Sequence, residues 1–145
     1  LNKFDNEHGY ANSRARLRMT TLYQVAAANK GIVVGTGNKV EDFGVGFYTK
    51  YGDGGVDISP IADCNKTEVW ELGKELGILN EIIEAAPTDG LWDDGRTDEG
   101  QLGLQYSELE EAMNNPNSPN REKYEKDKKN AKQGFHGVCN RKIYW

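Results

Sequence analysis

The sequence contains no long apolar run. Across its 145 residues, no apolar stretch approaches the roughly 18 residues that a transmembrane helix needs, so no membrane partner is expected. It also has only two cysteines and two histidines, which leaves no disulfide framework, zinc site or catalytic triad to be assembled. Because Cys64 and Cys139 are few and far apart, we expect a reducing, cytoplasmic location.

Basic residues are also relatively scarce. Lys and Arg number 18 against 23 Asp and Glu, giving a net charge of -5. Binding to nucleic acid needs a basic face, so no nucleic-acid partner is expected. Arg14, Arg16 and Arg18 form a local exception, and the apolar flanks Leu17 and Leu22 favour an inward-pointing Arg16. The length fits one domain, and a first residue other than Met suggests a piece of a longer protein.

The apolar pattern predicts alternating helices and strands. Ile32 to Val34 is a short β-branched run, typical of a strand buried on both faces of a parallel sheet. Before this strand we expect a helix with apolar residues at helical spacing, which begins at an Asn12 cap and ends at Gly31. Residues 56–61 resemble an edge strand because Pro60 cannot donate a ladder hydrogen bond. A helix followed by a strand is half of a βαβ unit.

Capping patterns predict further helices. Asn38 and Glu41 match a capping box for a short helix to about Val45. A second expected helix runs from a cap at Asn65 or Asp63 to Gly77, with Val69, Leu72 and Leu76 on one apolar stripe. Further helices are expected from Glu81 to Ala86, from the Ser107/Glu110 capping box to about Asn114, and from Pro119 onwards. We expect residues 114–120 to form a linker, the last helix to be solvated and weakly anchored, and 133–145 to form a tail.

A polar, glycine-rich stretch follows the first expected strand. Ligands of parallel α/β sheets bind beyond the carboxyl ends of strands, and Gly35-Thr36-Gly37 lies at such an end. The hydroxyl, lysines and carboxylates after it suit phosphate and a metal ion. Each residue also has an ordinary explanation, since glycines shape turns and Glu41 can simply cap a helix. The Gly52 to Gly55 segment is expected to form a mobile or left-handed loop, and the acidic loop from Asp89 to Glu99 lacks the ligand spacing of a calcium loop.

Four segments, taken together, resemble the NAD synthetase family. They are Asn12 to Met19, Gly35 to Glu41, Gly46 to Ile58 and Pro87 to Trp92. The Thr-Lys-Tyr-Gly-Asp-Gly-Gly form within the third resembles the ammonia-using branch. The resemblance covers roughly Asn12 to Met113, and the ordered set is far more specific than any member.

The resemblance implies a fold and a reaction. The fold is α/β, a Rossmann-like parallel sheet flanked by helices of the adenine nucleotide alpha hydrolase type, usually in a homodimer. ATP adenylates the nicotinate carboxylate of deamido-NAD with release of pyrophosphate, and ammonia then attacks the mixed anhydride to give the amide and AMP. ATP and Mg²⁺ are the implied cofactors.

The resemblance also implies roles for individual residues, none of them a nucleophile. By this resemblance, ATP would be bound by Thr36, Lys66 and Thr88, and Mg²⁺ by Glu41. Deamido-NAD would be bound by Arg16, Lys50 and Asp57. Positioning and stabilisation of developing charge would carry the chemistry, which agrees with the absence of a triad.

One family motif does not occur in these 145 residues. The Ser-Gly-Gly-x-Asp-Ser loop that cradles pyrophosphate is absent, so residues 1–145 resemble the C-terminal part of a single synthetase domain whose N-terminal strands are missing. We therefore expect the isolated chain neither to adenylate nor to amidate. The family's C-terminal His-Lys pair is left open among Lys132, His136, Arg141 and Lys142. Two alternatives also stay open: another ATP pyrophosphatase with a different acceptor, and a catalytically silent nucleotide-binding or dimerisation module.

Overall fold

The computed structural model of the chain describes residues 5–132, which are mainly helical. The α-helices are α1 (Glu7–Ala28), α2 (Lys66–Glu75), α3 (Asn80–Ile83), α4 (Asp98–Leu102), α5 (Tyr106–Asn114) and α6 (Arg121–Lys132), with a π-helix at Val40–Val45. No β-strand is assigned within 5–132, and none of the helices there is long and apolar enough to cross a membrane. The expected tail, 133–145, lies outside the described residues.

A compact apolar core joins the π-helix to α4, α5 and α6. Its buried members are Val40, Val45, Leu102, Leu104, Tyr106, Leu109, Ala112 and Tyr124. Trp70 of α2 packs against this core with its ring edge-on to Tyr106, the centroids 6.1 Å apart. Burial of such large side chains is the main stabilising contribution to this part of the molecule.

The last helix is firmly anchored, contrary to the expectation of a weakly held one. Tyr124 is 1% exposed, and Arg121 donates from Nη1 to the carbonyl of Ala112 at 2.7 Å. A single large aromatic residue therefore docks an otherwise polar helix. The expected linker at 114–120 contains turns in which Ser118 is buried and donates its hydroxyl to Glu111.

Helix α1 begins earlier and packs differently from the sequence expectation. Asn6 caps it, accepting a hydrogen bond from the amide of Gly9 at 2.7 Å, whereas Asn12 lies inside the helix. The buried face consists of Ala11 and Ala15, while Leu17 is 69% exposed. The expected apolar stripe of α1 was wrong because small residues, not long ones, allow the backbone of residues 49–55 to approach.

The two expected strands meet only in one isolated parallel bridge between Val34 and Ile58. The amide of Gly35 donates to the carbonyl of Ile58 at 2.7 Å, and that of Asp57 to the carbonyl of Val33 at 2.9 Å. Only Val33 of its run is buried, so the expectation of burial on both faces was wrong for the described residues. The parallel arrangement is present, but the structure assigns no sheet to it.

Local capping patterns had mixed success. Asn65 caps α2 as expected, and its amide donates to Oε2 of Glu68 at 2.6 Å. Helix α5 starts at Tyr106 with Gln105 and Glu108 as its capping pair, so the Ser107/Glu110 box was wrong. Glu110 instead accepts from the amide and hydroxyl of Thr67, at 3.0 and 2.6 Å.

Other details also differ from the expectation. Helix α3 ends at Ile83 and not at Ala86, and α4 forms within a segment that the sequence did not mark as helical. Leu72 and Leu76 are exposed, so α2 packs on the core mainly through Trp70.

Candidate nucleotide-binding site

A cavity of about 430 Å³ opens between α1, the turn after Val34, the π-helix and the loop leading into α4. Four of the sequence-predicted site residues line it: Thr36, Glu41, Lys66 and Thr88. They come from four separate segments of the chain. The cavity therefore brings together a hydroxyl-bearing turn, a carboxylate, an ammonium group and a second hydroxyl.

The π-helix positions Glu41 at this cavity. Asn38, which is 1% exposed, accepts hydrogen bonds at Oδ1 from the amides of Val40 and Glu41, at 3.0 and 3.1 Å. The backbone amide of Asn38 in turn donates a longer hydrogen bond to Oε2 of Glu41, at 3.4 Å. The predicted capping box is confirmed, although the helix that it starts is a π-helix, a form that is often found at functional sites.

The Glu41 carboxylate is held by two further side chains. Its Oε1 accepts from the hydroxyl of Tyr106 at 2.6 Å and from Nζ of Lys66 at 3.3 Å, and the Lys66 ammonium lies 4.9 Å from the centroid of the Tyr106 ring. Burial of Tyr106 and the charge of Glu41 raise the pKa of its phenol, which therefore stays a hydrogen-bond donor. Lys66 is mostly buried in this ion pair.

Asp98, at the start of α4, is a second carboxylate in this cluster. It is 7% exposed, and its Oδ2 lies 3.4 Å from the Tyr106 hydroxyl. Its Oδ1 is buried without a hydrogen-bond partner. Burial, and then the charges of Glu41 and Asp89, raise the pKa of Asp98 to about 6. The sequence analysis did not identify this residue.

Two more acidic groups reinforce the negative character of this region. Burial, followed by the charges of Glu41 and Asp53, raises the pKa of Asp42 to about 6. Burial is also the main cause that raises the pKa of Asp53, whose Oδ1 accepts from the amide of Thr49 at 3.0 Å. An anionic ligand would meet this field, so it would need a cation to accompany it.

The tight segment around residues 49–55 closes one wall. Thr49 donates its hydroxyl to Oδ1 of Asn12 at 2.7 Å, which ties the segment to α1. A side chain at Gly52 would come within 2.9 Å of Ala15, so glycine is needed for close packing. The left-handed residue here is Tyr51, at φ 61°, so the expectation that glycine would supply this conformation was wrong.

The loop of residues 88–96 forms the opposite wall and is held by arginines of α1. Arg18 donates to the carbonyls of Asp89 and Gly90 at 3.0 and 2.6 Å, and Arg14 donates to that of Leu91 at 2.6 Å. Within the loop, Thr88 accepts from the amide of Gly90 at 3.2 Å. These arginines thus shape the cavity through the backbone of the loop.

The three residues expected around deamido-NAD do not line this cavity. Arg16 donates from Nε to the carbonyl of Lys50 at 3.0 Å, so these two lie side by side. Asp57 accepts from the amide of Val33 at 2.7 Å and from the hydroxyl of Tyr23 at 3.2 Å, which supports the bridged segments. The structure therefore gathers the four residues expected around ATP and Mg²⁺ in one cavity, and the other three adjoin residues that line it, namely Ala15, Thr49 and Val56.

The sequence of the chain is similar to those of known proteins. A family model described as NAD synthase matches residues 2–142. The chain is 51% identical over 103 residues to the NH(3)-dependent NAD(+) synthetase of Carboxydothermus hydrogenoformans, a match that covers 71% of this chain and 42% of that protein. It is 52% identical to the protein of the same name from Alkaliphilus oremlandii, again over 103 residues and 40% of the relative. The matched region thus spans about two fifths of these relatives.

Solved structures give a concordant result. The chain superposes on a structure described as NMN synthetase from Francisella tularensis with a TM-score of 0.74 and 34% identity, covering 92% of this chain and 56% of that one. It also superposes on the NH3-dependent NAD synthetase of Campylobacter jejuni with a TM-score of 0.58 and 25% identity, covering 92% and 54%. The architecture is therefore that of this group of synthetases.

Proposed function

Because this chain belongs to the NAD synthase family, we propose that it carries part of the catalytic site of an ATP-dependent, ammonia-using synthetase. In the proposed reaction, ATP adenylates the carboxylate of deamido-NAD, and ammonia displaces AMP to form the amide. Residues 1–145 would form the C-terminal part of one synthetase domain, the bridged segments at Val34 and Ile58 would belong to its parallel sheet, and the protein would be a cytoplasmic homodimer.

One observation carries the proposal: residues from four separate segments line a single cavity. Lys66 offers an ammonium to the departing pyrophosphate, while Thr36 and Thr88 offer hydroxyls to the nucleotide. Glu41 is proposed to hold Mg²⁺, and the donor set fits, since carboxylate oxygens suit this cation. The cation would lower the charge of the phosphates in the acidic cavity. Arg16, Lys50 and Asp57 remain proposals for the acceptor, outside the cavity described above.

The nucleotide part of the proposal can be tested by calorimetry. We expect the chain to bind ATP in the presence of Mg²⁺, and Lys66→Ala to weaken binding by about tenfold, because it removes a charge-assisted hydrogen bond. Lys74→Ala, an exposed lysine on the same helix, is the matched control and should bind as the unaltered chain does. Self-association without any Mg²⁺-dependent nucleotide binding would instead favour a silent dimerisation module.

A second candidate reaction has the same chemistry with a smaller acceptor. The likeness to a structure described as NMN synthetase favours amidation of the acid form of NMN. Competition binding between deamido-NAD and this mononucleotide distinguishes the two. Asp57→Asn, which keeps an acceptor for the amide of Val33, should weaken binding of the true acceptor and leave ATP binding unchanged. If Asp57→Asn weakened the binding of ATP and of the acceptor equally, a role for Asp57 in acceptor recognition would be contradicted.

A further inference from the structure

Two carboxylates in the cavity share one hydrogen-bond donor. A tyrosine hydroxyl has a single proton to donate, and that of Tyr106 lies 2.6 Å from Oε1 of Glu41 and 3.4 Å from Oδ2 of Asp98. The shorter contact identifies Glu41 as the acceptor. Asp98 is then left without a good hydrogen-bond donor on either oxygen, although only 7% of its surface is exposed.

A buried carboxylate without a donor is unfavourable unless a positive charge compensates it. The charge of Lys66 favours the ionised form of Asp98 but does not outweigh burial, and its Nζ forms an ion pair with Glu41 at 3.3 Å. Within residues 5–132, the other buried side-chain oxygen without a partner belongs to Asn65, an uncharged amide. Oδ1 of Asp98 is therefore the buried carboxylate oxygen of residues 5–132 that lacks a hydrogen-bond partner, and its side chain lines the cavity.

We propose that Asp98 is a second protein ligand of the divalent cation that the proposed function places on Glu41, with Oδ1 of Asp98 and Oε2 of Glu41 as the ligand atoms. Both carboxylates approach the same hydroxyl, so Oε1 of Glu41 and Oδ2 of Asp98 lie at most about 6 Å apart, and the proposed ligand atoms are the other oxygen of each group. Glu41 Oε2 has only a long contact to the amide of Asn38, at 3.4 Å, so it can turn to the cation.

Two carboxylates suffice for the cation that this site would take. No group of three or more His, Cys, Asp or Glu residues able to hold a metal occurs in the described part of the chain. Mg²⁺ commonly binds through one or two carboxylates and keeps several waters, which substrate phosphates then replace. The inference rests on the proposed function for its link to ATP, but the cation site itself can be tested without nucleotide.

The test is a titration of the full 145-residue chain with Mn²⁺ alone, in which the electron paramagnetic resonance signal of the free ion measures how much Mn²⁺ is bound. We expect saturable binding, weakened about tenfold or more by Asp98→Asn and likewise by Glu41→Gln. Asp93→Asn is the matched control, because Asp93 is an exposed carboxylate that pairs with Arg14 at 3.3 Å. Equal Mn²⁺ binding by Asp98→Asn and the unaltered chain would overturn the proposal.

A second readout separates a cation ligand from a structural acid. Without added cation, Asp98→Asn should have an unchanged or higher melting temperature, because an amide replaces an unpaired buried charge. Added Mg²⁺ should raise the melting temperature of the unaltered chain but not that of the variant. An equal Mg²⁺-dependent rise in both proteins would count against the site.

The unaltered chain gives a readout that no variant's failure to fold can affect. Tb³⁺ bound between Asp98 and Glu41 would lie beside the Tyr106 ring, so excitation of tyrosine should produce sensitised emission that Mg²⁺ displaces. Absence of this emission would overturn the proposal. If this emission were absent while ATP binding still depended on Lys66, the cation inference would fail and the proposed function would stand.

Discussion

Two regions of the molecule use apolar residues in opposite ways. The packed region, formed by the π-helix and α4 to α6, buries its large side chains in one core. The open region, formed by α1 and residues 32–35, buries two alanines and Val33 and leaves Leu17, Val25 and Ile32 exposed. The apolar periodicity of α1 is much weaker than that of α5, so the sequence pattern indicates the covered face of α5 but not that of α1. The cavity lies between the two regions, with Glu41 and Tyr106 held by the packed one.

The largest expected difference concerns the core itself. Leu109→Ala should lower the free energy of unfolding by about 2–5 kcal/mol, because Leu109 is fully buried and a cavity would remain. Leu17→Ala on the open region should change it by less than about 0.5 kcal/mol. Urea denaturation of both variants measures the contrast. Similar losses would mean that the open region is covered in solution.

Close backbone packing provides a second contrast. Gly52→Ala should destabilise the chain by about 1–3 kcal/mol, since its Cβ would lie 2.9 Å from both Ala15 and Thr49. Gly73→Ala, inside α2, should stabilise it by about 0.5–1 kcal/mol, because the nearest atom is 3.6 Å away and alanine favours helices. Opposite shifts in melting temperature are expected. A neutral Gly52→Ala would show that α1 can move away from this wall.

The open region should also control the loop of residues 88–96. Arg18→Ala removes two hydrogen bonds to the carbonyls of Asp89 and Gly90, so amides of that loop should exchange about tenfold faster. Gln24→Ala, an exposed change further along α1, should leave their exchange unaltered. Hydrogen-deuterium exchange followed by mass spectrometry measures both. Unchanged exchange in Arg18→Ala would leave Arg14 and the loop's own contacts as its support.

The smallest expected effect is a dependence on pH at the cavity wall. Because the pKa of Asp53 is raised by burial and by Glu41 and Asp89, the folded state holds its proton more tightly than the unfolded state. Stability should therefore fall as pH rises from the ordinary carboxyl pKa through the raised one.

Asp53→Asn removes this titration while keeping an acceptor for the amide of Thr49. The melting temperature of the variant should change less than that of the unaltered chain as pH rises from below the ordinary carboxyl pKa to neutrality. Asp63→Asn, at an exposed position, is the control. An identical pH profile for Asp53→Asn would show that the other buried acids dominate.

Features that depend on neighbouring residues could be predicted from the sequence. The Asn38/Glu41 capping box follows from a spacing of three residues, and Asn65 was one of two candidate caps beside Asp63; the structure contains both caps. The Ser107/Glu110 pair has the same spacing, but Thr67, distant in sequence, attracts Glu110. Local patterns are thus reliable until a tertiary hydrogen bond competes with them.

The site could be predicted only in part for the same reason. Thr36, Glu41, Lys66 and Thr88 line one cavity, and the roles that the resemblance implies for them there stay predictions. Tyr106 and Asp98 were missed because Tyr106 meets Glu41 across 65 positions of sequence, and no spacing rule connects them. A buried tyrosine between two acids has no signature in the order of residues.

The wide turn of the π-helix has a consequence for insertions and deletions. Its bonds span one residue more than those of an α-helix, as between the amide of Gly46 and the carbonyl of Glu41. Loss of one residue from Asp42 to Gly44 would let an ordinary α-turn form while Val45 kept its buried position. Each residue turns an α-helix by about 100°, so the carboxylate of Glu41 would swing away from Lys66. Val40, the core residue next to Glu41, would turn with it, so a chain shortened in this way would lose both this core contact and the ion pair.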